Sequence, residues 1–299
     1  MSFGPGFSSG LSAKTKEKAK AELNEDPLTR NAKVQLLRDK MVFRPDLPFR
    51  KTDEKYLLRF LRARKFDEER AFQLLCSHIE FKRKNRDLFE DLTLTKLRPV
   101  LQEGFPGVLE NRDSNGSRVL VLFPGRWERE LFDFKDIVKA LIFTMEELIT
   151  EEETQVNGIV AIVDFTGWSL SKHGRYITVR ELRSVVKIFQ ECFPARVKAI
   201  HLINQPWYIN LAIKSILPFL KAKIGDRLHL HGNNLTSLHM FIHPDLLPSE
   251  FGGNEPGYDK LSWLRTVMSK NSFQHTCATM IAVAEQLNEH LKHDTEREN

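Results

Sequence analysis

The chain has 299 residues, with 45 Lys and Arg against 40 Asp and Glu for a net charge of +5, and 41% apolar and 28% charged side chains. With only 15 Gly and 13 Pro, that composition excludes collagen-like, low-complexity and wholly disordered chains. A chain of this size buries roughly three quarters of its unfolded surface and needs no covalent staple.

Cys76, Cys192 and Cys277 lie far apart, with no CxxC or Cys-His spacing, so neither a disulfide framework nor a thiol-rich zinc site is readable. Met1 to Lys20 holds no apolar run of signal-peptide type, and no long apolar stretch suits a membrane span. The expectation is a cytoplasmic protein. The charge is segregated: residues 50–86 hold 12 basic against 6 acidic side chains, and residues 195–227 hold 6 against Asp226 alone. Two basic segments in a chain that is acidic elsewhere create regions that a polyanion or an anionic membrane distinguishes.

Residues 1–11 read as a flexible leader. From 12 to 98 the apolar residues recur at helical spacing, as in Leu57, Leu58, Leu61 and then Ala71, Leu74, Leu75, Ile79, and Thr52 or Asp53 and then Asp67 suit the N-caps. After Gly104 the pattern changes to short β-branched or alternating runs at 118–123, 158–165, 197–204 and 227–231. Helical stretches at 136–149, 176–193 and 207–224 separate these four runs in turn. Strands alternating with helix-length crossovers give a mostly parallel sheet with helices on its faces. The fold class is therefore α/β: an all-helical N-terminal domain over 12–98, then a mostly parallel β-sheet flanked by helices over 99–265, then a partly helical tail over 266–299.

No nucleotide-binding, hydrolase or zincin motif is present. Asn111, Asp113, Asn115 and Gly116 start like a calcium loop, but the position that needs a bidentate acid is Leu122, so a polar turn feeding a strand is the plainer account. His229, His231, His239 and His243 crowd one region without a Cys partner, and Met240 stands where a zincin needs its Glu. No metal site and no catalytic residue is assigned.

The stretch 207–224 is different. Ile213, Ile216, Leu217, Leu220 and Ile224 form one apolar stripe at 100° per residue, bordered by Lys214, Lys221 and Lys223. Lysines beside such a stripe can reach headgroups while the stripe touches acyl chains. Pro218 should bend the helix, and Trp207-Tyr208 suits a membrane–water boundary. A crossover helix packed on the sheet would show the same periodicity.

Six motifs occur in order: Leu57-Leu-Arg-Phe-Leu-Arg-Ala-Arg64, Glu152-Glu-Thr-Gln-Val-Asn-Gly158, Phe193-Pro-Ala-Arg196, Ile203-Asn-Gln-Pro-Trp207, His231-Gly-Asn-Asn234 and Leu247-Pro-Ser-Glu-Phe-Gly-Gly253. Together they resemble the CRAL-TRIO (Sec14-like) lipid-binding family, in the branch containing the clavesins, retinaldehyde-binding protein and tocopherol transfer protein. The resemblance runs from about Leu11 to Trp263. It implies a non-enzymatic carrier of one hydrophobic lipid with no other cofactor. Its pocket would lie between sheet and helices, closed by a mobile gate over about 204–227 that includes Ile213, Lys214, Leu217, Leu220 and Lys221.

Lipid-contacting positions carried over from the family are Val138, Leu141, Met145, Ile159, Val163, Val185, Ile188, Phe189, Val197 and Ile200. Strand alternation independently puts Ile159, Ala161 and Val163 on one face. Arg64, Arg196, Lys223 and Arg227 match the family's phosphoinositide-contacting positions. The implied partners are a hydrophobic lipid, phosphoinositides on an anionic membrane and, by resemblance, clathrin-associated machinery, but no nucleic acid. The implied location is cytoplasmic, at the periphery of endosomal or trans-Golgi membranes. Where the tocopherol carrier has two pocket serines this chain has Leu141 and Met145, and where the retinoid carrier has Tyr and Glu it has Leu141 and Val163. A polar cargo group entering that wall would lose water without regaining a partner, at about 1 to 3 kcal/mol, so tocopherol and 11-cis-retinal are not the expected cargo. Two alternatives stand beside the carrier: a phosphoinositide-reading trafficking adaptor with a structural lipid, and a lipid-modifying enzyme.

Overall fold

The computed structural model describes residues 10–271. Most of the expected leader, the tail from residue 272 and Cys277 lie outside the described residues. Six helices come first: α1 (Ala13–Leu23), α2 (Arg30–Val42), α3 (Glu54–Ala63), α4 (Glu68–Lys84), α5 (Arg86–Phe89) and α6 (Leu94–Gln102). Asp53 accepts from the Tyr56 N–H and Asp67 from the Arg70 N–H, each at 2.9 Å, so the two expected carboxylates satisfy the first-turn donors of α3 and α4. Leu57, Leu58, Phe60 and Leu61 of α3 are fully buried against Leu37, Leu74 and Leu75.

A five-stranded sheet follows, in the order β1 (Gly107–Arg112), β2 (Arg118–Leu122), β3 (Ile159–Asp164), β4 (Val197–Ile203) and β5 (Leu228–Gly232). β2 to β5 pair in parallel and β1 pairs antiparallel with β2. The edge strand β1 is an element that sequence periodicity misses, because Gly107-Val-Leu-Glu-Asn-Arg112 is half polar. The Asp113 region is the turn of this hairpin: the Asp113 carboxylate accepts from the Asn115 and Ser117 N–H groups at 2.9 and 2.7 Å.

The helices between the strands are α7 (Phe134–Leu148), α8 (Glu152–Asn157), α9 (Val179–Lys187), α10 (Trp207–Ile216) and α11 (Ala222–Gly225); α12 (Leu235–His239) follows β5, and residues 262–271 form α13. Alternation divides the sheet. Leu120 and Ile159 pack with α6, α7 and α13 into one core, and Val119, Val121, Val160 and Ile162 pack with Leu238, Ile242 and Phe251 into another.

Two expected helices need correction. The helix expected over 176–193 starts at Val179, where Thr178 and Glu181 form a capping box, and it widens into a π-helical turn at Ile188–Cys192. The continuous helix expected over 207–224 breaks instead of bending. α10 ends at Ile216, Leu217–Phe219 form a 3₁₀ turn, and Leu220 and Lys221 are extended before α11. Pro218 has no N–H to bond the Lys214 carbonyl, so the α-helical ladder stops there.

One fully buried side chain ties the two halves together at the centre of their contact. Arg62 is completely buried; its Nε and Nη2 donate to both Glu25 oxygens at 2.9 and 2.8 Å, Nη1 to Gln155 Oε1 at 2.7 Å and Nη2 to Glu152 Oε2 at 3.1 Å. Burial opposes the charge, but Glu25 and Glu152 outweigh it and hold the guanidinium above its ordinary pKa. Replacing Arg62 with Met leaves the buried Glu25 carboxylate with only Arg30, 3.7 Å away, which costs about 3 kcal/mol. Urea unfolding of Arg62→Met should show that loss, and adding Glu25→Gln should recover part of it; additive losses in the double variant would show that the pair does not act as a unit.

Candidate functional site

The sequence-derived wall positions gather on one face of the sheet. Val138 and Met145 of α7, Ile159 of β3 and Ile188 of the π-turn are buried in one apolar cluster, with Leu141, Val185, Phe189 and Ala161 packed against them. Val197 and Ile200 of β4 are half-buried and pair in register with Ile159 and Ala161, and half-buried Val163 lies opposite Leu202. No polar side chain is among the ten assigned positions.

The segment expected as a gate lies beside the π-turn, which carries part of that wall. Ile213, Ile216, Leu220 and Ile224 are half-buried, whereas Leu217 is exposed, because the stripe loses its helical period at Pro218. The outer surface also carries apolar groups, with Trp207 72%, Leu211 55% and Phe219 50% exposed. Lys214, Lys221 and Lys223 are exposed among them. Among the described residues no helix is long and apolar enough to cross a membrane.

Next to the segment lies a crowd of cations drawn from both halves of the chain. Lys223 has its pKa lowered, first by burial and then by Arg227, Lys65, Arg196 and Arg70. Arg64 is lowered by burial and by Arg70, and Arg196 by burial and by Arg227, against the pull of Glu22. Arg64 ends α3, where its own Nη1 donates to the Ala63 carbonyl at 3.4 Å. Arg196 sits where Gly158, at φ +84°, meets the next strand; a Cβ there would lie 2.4 Å from the Arg196 carbonyl, so the close approach requires glycine. Arg196 and Lys198 share Glu22 at 3.1 and 3.0 Å, and an Arg227 Nη1 donates to the Val197 carbonyl.

Among the described residues no carboxylate forms an ion pair with Arg64, Lys223 or Arg227. Of the four cations carried over from the family, Arg196, Lys223 and Arg227 lie together with Lys65 and Arg70, and Arg64 joins the group only through its neighbour Arg70. Lys65 continues the basic run that ends α3, a signal that was readable. Arg70 enters only because α4 folds back on α3, and nothing in its neighbours marks it.

The histidines occupy the opposite face of the sheet. His201 is buried; its Nδ1 lies 2.9 Å from His231 Nε2, and its ring stacks on His229 at 5.0 Å. His231 Nδ1 lies 2.6 Å from Ser237 Oγ, and Phe241 covers His229 at 4.4 Å. A cleft of about 390 Å³ beside α1 is lined in part by His201, His229, Lys18 and Lys198. His239 and His243 are engaged elsewhere, by the Phe251 carbonyl and by Asp245. Among the described residues no three His, Cys, Asp or Glu are placed to hold a metal ion.

A further buried histidine, His78, joins α4 to the π-turn through its Nδ1, 2.7 Å from the Cys192 carbonyl. Beside it, burial pushes the Glu146 carboxyl up, but Lys82 and Arg59 pull it down to about 2.

Comparison with known proteins gives a family model described as the CRAL/TRIO domain over residues 102–253 and one described as the CRAL/TRIO N-terminal domain over residues 16–77. Clavesin-1 of Xenopus laevis is 43% identical over 281 residues, covering 92% of this chain and 84% of its own length. Clavesin-2 of Homo sapiens is 44% identical over 261 residues, covering 87% and 80%. Among solved structures, the crystal structure of Sfh5 superposes with a TM-score of 0.49 at 14% identity, covering 89% of this chain and 99% of that one.

Burial holds two histidines neutral in the fold: His78 is lowered from 6.5 to about 4, by desolvation and then by Lys82, and His201 to about 3, by desolvation and then by His231 and His229. Below 6.5 the unfolded chain takes up protons that the folded chain refuses, so their contribution is complete above that pH and is lost as pH falls toward the folded values. Urea unfolding should show about 1 to 2 kcal/mol less stability per group at pH 5 than at pH 7. His201→Phe should flatten the dependence; a slope equal to wild type would show that His201 is not the group responsible.

Proposed function

Because this chain belongs to the CRAL/TRIO family of lipid-binding proteins, as its motifs lead one to expect, we propose that it is a carrier. It holds one hydrophobic lipid against the wall of β3, β4, α7, α9 and the π-turn, and exchanges it at phosphoinositide-containing membranes of the endosomal system. The observation that carries the reading is the crowd of cations around Lys223, set beside a segment with exposed Trp207, Leu211 and Phe219. Like charges that lower one another's pKa are relieved by a polyanion, and a polyphosphorylated headgroup offers several oxygens to guanidinium forks at once. The exposed aromatic and aliphatic groups would enter the interface around such a headgroup. The apolar wall favours a long hydrocarbon cargo, since burial contributes about 25 cal/mol per Å² and nothing polar there could orient a headgroup. The endosomal location and any clathrin-associated partner rest on similarity to the clavesins.

The docking site is tested with Arg64→Gln, Lys223→Gln and Arg227→Gln combined. Arg196 is left in place because its pair with Glu22 holds α1 against the sheet. Each cation near an anionic surface contributes about 1 kcal/mol, so the triple variant should bind phosphoinositide vesicles about a hundredfold more weakly at physiological salt. A variant lacking Lys14, Lys16 and Lys20 serves as the charge-matched control, and equal losses from the two would reject a defined site.

Carriage is tested by vesicle-to-vesicle transfer of a fluorescent lipid. Val163→Asp places a carboxylate on the wall and should abolish transfer while leaving vesicle binding intact. Undiminished transfer would mean that the cargo lies elsewhere, and absence of transfer by the wild type would favour an adaptor with a structural lipid.

A further inference from the structure

A carrier must keep its pocket closed in water and open it at a membrane, so some contact has to set that equilibrium. Gln190 lies in the π-turn, and its side-chain amide clasps the broken segment from the side. Nε2 donates to the Phe219 carbonyl at 3.3 Å, and Oε1 accepts from the Lys221 N–H at 2.6 Å. These are backbone groups that lost their helical partners when Pro218 ended the ladder, and a primary amide supplies one donor and one acceptor, as a neighbouring strand would. Two nearby side chains reinforce the clasp. The Arg183 guanidinium lies 3.8 Å from the Phe219 ring centroid, and Lys221 is 4.0 Å from Glu191.

The same turn faces the apolar wall. Ile188 is buried with Val138 and Met145 in the main core, and Phe189 packs on Phe193 at 5.5 Å. Residues two apart on a helical turn point to nearly opposite sides, so Ile188 is directed inward while Gln190 reaches the segment. From behind, His78 holds the Cys192 carbonyl, which fixes the turn to α4. A π-turn is less regular than an α-helical turn and is a frequent feature of functional sites.

We infer that Gln190 is the latch of the gate, a positioning residue whose two hydrogen bonds must break before residues 217–225 can swing away from the body. The inference rests on the carrier reading, and it adds that the π-turn connects the latch to whatever lies against Ile188 and Phe189. Occupancy of the wall and closure of the gate are then coupled through five consecutive residues.

The test is hydrogen exchange on the full chain, alongside lipid transfer between vesicles. Gln190→Met keeps the volume and removes both polar contacts; the Lys221 amide should exchange about tenfold faster, the effect of losing one to two net hydrogen bonds, while amides of β2 and β3 keep their protection. Lipid transfer should accelerate. Gln190→Glu retains the acceptor for the Lys221 amide and should leave that amide protected. Unchanged exchange at Lys221 in Gln190→Met, or an equal rise in β2 and β3, would overturn the latch. If Lys221 is deprotected while even the wild type transfers no lipid, the latch stands and the carrier reading falls.

Discussion

Arg62 is the constraint on which the arrangement of the two halves depends. A guanidinium with no solvent exposure is tolerable only when its donors are met, and here they are met by three side chains: Glu25 between α1 and α2, and Glu152 and Gln155 on α8. The contacts fix α3 against the helix that leads into β3. Arg64 follows two residues later, and Arg196 abuts the end of α8 at Gly158. The cation crowd therefore stands next to a neutralised ion network: Arg62 is satisfied and buried, whereas among the described residues Arg64, Lys223 and Arg227 form no ion pair with a carboxylate and Arg196 keeps Glu22.

The sheet separates two kinds of chemistry. On one face the assigned wall residues are hydrocarbon throughout and lie against the core of α7 and the π-turn. On the other, His201, His229 and His231 stack with Phe241 beside a polar cleft. Alternation along β3 and β4 is enough to produce the division, since successive residues of a strand point to opposite faces. Helices cover both faces: α6, α7 and α13 on the first, α12 on the second.

Much of this was legible in residues with a single physical role. Of the two candidates Thr52 and Asp53 it is Asp53 that caps α3, Asp67 caps α4 as expected, and the four β-branched or alternating runs are the four parallel strands. The motif ending in Gly158 marked the site where backbone meets backbone. What sequence pattern could not supply was whatever depends on distant partners. Arg62 reads as one more member of a basic run, because its acceptors stand 37 residues before and 90 residues after it. β1 is half polar and finds its place only through the Asp113 turn. Gln190 carries no pattern at all; its role arises because Pro218 frees a carbonyl and an N–H opposite a π-turn. The apolar stripe of 207–224 was drawn on an unbroken helix, so Leu217, assigned to it, is exposed instead.

The central claim is that the hydrocarbon wall holds a single lipid molecule, and native mass spectrometry of the full chain after incubation with mixed-lipid vesicles and removal of the membranes tests it most directly. The account predicts a protein mass increased by one hydrophobic lipid, released as a single species on extraction, with occupancy unaffected by loss of the surface cations. Protein recovered only at its bare mass, or carrying lipid solely when those cations are intact, would contradict it.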